Sequence, residues 1–157
     1  MSSTMRWRYG DTNPILIPVL EATVVEIGDL VYLDTDNALP ASAQGDQGTA
    51  AANQQLFHDV FAGIAMQASP DGDSRDIRVA TTGVFEFDCA AATFEVGDLI
   101  GAVEDAGGTM VEDQSVVGVV NASEAIGRCA KRVNPAASRV LVDIVSTISH
   151  GGPQEPA

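Results

Sequence analysis

The segment Glu26-Ile27-Gly28-Asp29-Leu30-Val31 returns as Glu95-Val96-Gly97-Asp98-Leu99-Ile100, with 69 residues separating Gly28 from Gly97. Each copy follows a β-branched or aromatic pair, Val24-Val25 and Thr93-Phe94. Glycine tolerates left-handed backbone and aspartate bonds its own main chain, so Gly-Asp reads as a turn that feeds a strand. Each copy is then followed by an apolar strand with a central glycine. In the first half this is Phe61-Ala62-Gly63-Ile64-Ala65, in the second Val117-Gly118-Val119-Val120. Each half closes on an alternating strand bearing arginine, Arg75–Val79 and Ser138–Val142. Two copies are too few for a solenoid, and the pattern predicts a duplicated β-meander.

The composition agrees. Hydrophobic residues make up 45% of the 157 and aromatics only 5%, with 15 Gly and 7 Pro as punctuation. The apolar mass is Val, Ile, Leu and Ala, and branched Cβ atoms favour a pleated surface over a helix. The expectation is an all-β domain, a small β-barrel or β-sandwich built from two similar β-meanders, with one short helix and an extended N-terminal arm. The helix is expected within Ala38–Asp59, where Thr49 can cap the Ala-rich run that follows it. Thr82–Asp88 alternates as a central strand, with Phe85 and Phe87 on one face. Gly107-Gly108 marks a hairpin within Glu104–Asp113, and Ile126–Val133 is a further strand carrying Arg128, Lys131 and Arg132. The domain reading is an arm over residues 1–18, a β-rich body over 19–150 and a flexible tail over 151–157. In the arm, Pro14 and Pro18 bracket Ile15-Leu16-Ile17 and hold it extended, with possible edge pairing.

Charge narrows the function. The formal net charge is −14, from 22 acidic and 8 basic residues. Such a surface repels nucleic acid and anionic membranes, so neither is an expected partner. No apolar run approaches the 18 or so residues that span a bilayer as a helix, and a soluble protein is expected. Cys89 and Cys129 lie far apart without a CxxC pair or a nearby His cluster, so no metal site is expected; they read as buried thiols, a single disulfide or neither, with buried thiols the ordinary case. No enzyme activity is expected. His58 and His150 adjoin no evident nucleophile, and neither a nucleophile elbow nor a phosphate loop is present. Asp34/Asp36 and Asp71/Asp73/Asp76 group oxygen ligands, but Ala38 and Arg75 stand where a calcium loop needs its fifth ligand. The paired Gly-Asp turns also suggest the swinging-arm carrier domains, yet the one lysine, Lys131, lacks the flanking methionine of a carrier hairpin. No cofactor is expected.

Arg78–Val145 resembles a known family. The run Gly83-Val84-Phe85-Glu86-Phe87, then Ala90-Ala91-Ala92-Thr93-Phe94-Glu95-Val96-Gly97-Asp98-Leu99-Ile100, then Val117-Gly118-Val119-Val120 and a final strand near Arg139–Ile144 is similar to the decoration, or cement, proteins of tailed-phage heads. Glu26–Ala65 matches the opening of the same pattern, so the resemblance covers about two thirds of the chain. Where that family carries Gly and Pro after "Phe-Glu", this chain has Phe87-Asp88-Cys89. The resemblance implies a structural virion protein, assembled in the host cytoplasm and placed on the outer surface of the icosahedral capsid. It implies the major capsid protein as partner, a homotrimer, and stabilised contacts between capsomers. Trp and Arg are frequent interface anchors, so Arg6, Trp7, Arg8, Tyr9, Ile15, Leu16 and Ile17 are the expected capsid contacts. The alternative is a head-fibre or tail accessory module that binds a host surface glycan or protein.

Overall fold

The computed structural model describes residues 3–150. The expected tail, residues 151–157, lies outside the described residues. Ten of the eleven strands form two five-stranded units of identical topology, joined around a shared core, and the all-β expectation holds.

The first unit holds β2 (Ile15–Val19), β3 (Leu30–Asp34), β4 (Asn37–Pro40), β5 (Phe61–Ala65) and β6 (Arg75–Ala80), in the order β2-β6-β5-β3-β4. The second holds β7 (Thr82–Phe94), β8 (Leu99–Glu104), β9 (Val111–Gly118), β10 (Gly127–Cys129) and β11 (Val133–Val145), in the order β7-β11-β10-β8-β9. Adding five to each label converts one order into the other. The second unit closes as a barrel through one parallel bridge, Asp88 to Ser115. In the first, β2 and β4 approach across the same gap without pairing. β1 (Trp7–Tyr9) adds to β7 outside this five-strand set.

The repeated sequence is the repeated turn. The Glu26 amide donates to the Asp29 carboxylate at 2.9 Å, and the Glu95 amide donates to that of Asp98 at 2.9 Å. Gly28 and Gly97 take φ of 97° and 92°, left-handed backbone that favours glycine. Each turn then docks on a strand in the same way. The Gly28 amide donates to the Ala65 carbonyl and the Ala65 amide to that of Asp29, both at 2.9 Å. The Gly97 amide donates to the Cys129 carbonyl at 2.9 Å and the Cys129 amide to that of Asp98 at 2.8 Å.

This equivalence corrects two expectations. The counterpart of β5 is β10, not Val117–Val120, because Val31 sits opposite Gly63 as Ile100 sits opposite Gly127. The order is also not a meander, since β6 crosses from β5 to pair with β2, as β11 crosses from β10 to pair with β7. Both central glycines are sterically required. A Cβ on Gly63 would run into the Ala80 carbonyl, and one on Gly127 into that of Asp143.

The shared core explains the joining of the units. Phe85 and Phe87 stack inside the barrel, 6.4 Å between ring centroids. Leu30, Tyr32, Phe61 and Ile64 of the first unit join the same apolar cluster, while Ile17, Val19, Ile77 and Val79 form a second, smaller cluster beneath β2 and β6. The helix α1 (Ala50–Val60) is inserted between β4 and β5. Thr49 caps it, its hydroxyl oxygen accepting from the Ala52 amide at 3.1 Å. α1 places Phe57 against Tyr32 and Phe61. It also seats His58, whose Nδ1 donates to the Ala125 carbonyl at 2.7 Å, on the other unit. A last short helix, α2 (Thr147–His150), follows β11.

Candidate functional site

The N-terminal segment is woven into both units. β1 pairs with β7, Trp7 opposite Phe85, and β2 pairs with β6, Ile17 opposite Ile77. Side chains alternate across each strand, so the expected contact residues separate into two sets.

Trp7, Tyr9 and Leu16 are exposed, Leu16 the most at 61%. Arg8 is exposed and ion-paired to Glu86 at 3.2 Å, and Ile15 is half-buried. Met5, Leu20 and Val24 are exposed as well, so six of the ten exposed large apolar side chains of the described residues fall between residues 5 and 24. Trp7 is held in place by its indole N–H, which donates to the Gly10 carbonyl at 2.9 Å.

Arg6 and Ile17 are corrections. Ile17 is 4% exposed and packs in the core of the first unit. Arg6 is 8% exposed and joins a buried polar chain. Its Nε and Nη2 donate to the Gln114 carbonyl oxygen at 3.1 and 2.9 Å, and its Nη2 also reaches Asp88 at 3.2 Å. Gln114 in turn donates to Asp29 at 2.8 Å. The guanidinium lies 5.8 Å from the centre of the Phe87 ring. A guanidinium with its donors filled and one face on an aromatic ring is a structural tie. It links β1, β9 and the first Gly-Asp turn. Asp29 is almost fully buried, and desolvation raises its pKa to about 6 against the opposing pull of the Gln114 hydrogen bond.

Next to this tie lies a cleft of about 300 Å³ that sequence reasoning did not find. Arg6, Arg8 and Arg139 converge on Glu86 and Asp88. Arg139 stands 3.5 Å from each carboxylate, and its side chain is two-thirds exposed. Glu86 and Arg139 also line an adjoining cleft whose lip carries Lys131 and Arg132.

The remaining sequence candidates are spread apart. Asp34 and Asp36 bracket the β3–β4 turn, and Asp73 pairs with Arg75. Cys89 and Cys129 are both free, and burial raises both thiol pKa values. His150 Nε2 lies 2.9 Å from the Thr81 hydroxyl, which donates to the Asn13 carbonyl at 2.6 Å and is fully buried. That hydroxyl ties β2's approach to α2. Among the described residues no three His, Cys, Asp or Glu side chains gather as a metal would need, and no helix is long and apolar enough to cross a membrane.

No family model matches the sequence, and no curated protein matches it. Among solved structures, the N base of head fiber gp8.5 from bacteriophage phi29 aligns with a TM-score of 0.48 and 13% identity, covering 83% of this chain and 93% of that one. At that distance the two chains share too little for residue roles to pass from one to the other.

Proposed function

We propose that this chain is a non-enzymatic structural virion protein that binds the outer surface of an icosahedral phage head and holds neighbouring capsomers together. The observation that carries this reading is the distribution of exposed apolar side chains. A monomer leaves single apolar residues scattered over its surface without consequence. Here the majority are concentrated in one stretch of about twenty residues, which includes the only Trp. That stretch is fastened to the body by main-chain pairing and by the Arg6 tie, so it presents Trp7, Tyr9 and Leu16 on rigid strands. A rigid aromatic anchor binds without a large ordering cost, and repetition over a shell adds avidity. The resemblance of Arg78–Val145 to decoration proteins is what favours the major capsid protein as partner and a trimeric arrangement.

The test is quantitative mass spectrometry of purified particles from the source. A ratio near one copy per capsid subunit supports a cement layer. A few copies per particle favour a fibre or tail role, and complete absence from the particle sinks the reading.

A further inference from the structure

We propose that the cleft of Arg6, Arg8 and Arg139 receives a carboxylate from an acidic segment of the partner protein. The inference rests on the head-binding reading for the partner's place, and on the cleft's own charge count for its chemistry. Three guanidinium groups share two carboxylates, Glu86 and Asp88. Arg6 is saturated by Gln114, Asp88 and the Glu86 carbonyl. Arg8 is committed to Glu86 and to the main-chain carbonyls of Met5 and Trp7. Arg139 is the group left over. At 3.5 Å from both carboxylates it sits beyond good hydrogen-bond distance, and its planar fork is suited to bidentate capture of a further carboxylate.

The setting strengthens the assignment. Five of the chain's eight cationic side chains, Arg6, Arg8, Arg139, Lys131 and Arg132, line this cleft and the one beside it. In a chain of net charge −14, that is a local inversion of sign. At physiological salt the repulsion from the distant acidic surface is screened beyond about 8 Å, so an arriving side chain responds to the charges it touches. The partner segment is therefore acidic, and the cleft fixes its register while the exposed apolar residues of the N-terminal segment supply contact area.

The test is calorimetric titration of the full chain with a hexaglutamate peptide at about 150 mM salt, with hexaglutamine as the neutral control. Saturable binding of hexaglutamate alone is expected, weakened at least fivefold in Arg139→Gln and less than twofold in Arg75→Gln, which removes the same charge from β6. Arg139 is exposed, and thermal melting verifies that Arg139→Gln stays folded. Failure of hexaglutamate to bind, equal binding of hexaglutamine, or equal losses in the two variants would each overturn the proposal. Particle occupancy separates the two ideas. A chain that takes the peptide in an Arg139-dependent way but is missing from particles sinks the head-binding reading and leaves the cleft standing. A chain present on particles at full occupancy as Arg139→Gln overturns the cleft as the partner's site.

Discussion

Gln114 donates to Asp29 across 2.8 Å, and the same amide reaches the Ile27 carbonyl at 3.4 Å, joining a strand of the second unit to the leading turn of the first. The other end of the same amide accepts two hydrogen bonds from Arg6. A neutral side chain thus stands between a buried cation and a buried carboxylate and satisfies both. Gln114→Leu keeps the approximate volume and removes every one of these bonds. Arg6 keeps Asp88 and Asp29 keeps the Glu26 amide, so what is lost is buried hydrogen bonding to charged groups, and we expect a loss of about 2–3 kcal/mol. Chemical denaturation with an unchanged m-value would confirm it; a loss under about 1 kcal/mol would show that Arg6 and Asp29 find other partners.

Asp29 also gives the fold a pH dependence opposite to the usual carboxylate behaviour. Its folded pKa, about 6, lies above the ordinary aspartate value of 3.8, with desolvation the largest cause. The folded state therefore holds this proton more tightly than the unfolded chain. The stabilisation is fully present below about pH 4 and is lost as pH rises through about 6. Two pH units correspond to roughly 3 kcal/mol at most. Between pH 4 and 6, wild-type stability relative to Asp29→Asn should decline by about 2–3 kcal/mol. Parallel stability curves for the two proteins across that window would refute the assignment.

The equivalence of Gly63 and Gly127 predicts matched sensitivity. In each, a Cβ meets the carbonyl of the neighbouring strand, and Gly63 is also at φ 146°. Gly63→Ala and Gly127→Ala should each destabilise by more than about 3 kcal/mol, because backbone must shift on both strands of a ladder. Gly118→Ala is the control, since its Cβ would meet only the Phe94 ring edge at 3.4 Å, an ordinary contact. Soluble yield and thermal midpoint of the three variants test this. A Gly127→Ala protein as stable as Gly118→Ala would break the correspondence.

These sites differ in how far the sequence shows them, and the reasons are physical. The two Gly-Asp turns were legible because their bonds are local, from Glu26 to Asp29 and from Glu95 to Asp98. The capped helix was legible for the same reason. β10 lies within the strand expected over Ile126–Val133, but its equivalence to β5 was not legible, because three residues carry no periodicity and its place follows from pairing with β8 and β11. Val117-Gly118 has the better apolar pattern, and pattern alone pairs it with Gly63. Arg6 looked like a surface anchor beside Trp7. Its partners Asp88 and Gln114 stand 82 and 108 positions away, and only the closed barrel brings them together. Separation in sequence also hid the arginine cleft, since Arg139 meets Glu86 and Asp88 only through the β7–β11 ladder.

The burial of Arg6 changes how the N-terminal segment should be tested. Removing residues 2–14 deletes β1 and the Arg6 tie together, exposes the β7 edge near Phe85, leaves Gln114 without its guanidinium and leaves Asp88 with Arg139 alone. We expect that truncation to lose about 3 kcal/mol or more, so failure to bind particles would be uninformative about contact. Side-chain replacement avoids the difficulty. Leu16 and Tyr9 are more than half exposed, and exposed substitutions shift stability by about 0.5 kcal/mol or less. Tyr9→Ser with Leu16→Ser should therefore melt close to wild type yet lose particle association by at least tenfold in a co-sedimentation assay with heads lacking the protein. Undiminished co-sedimentation of that double variant would remove the N-terminal segment from the interface.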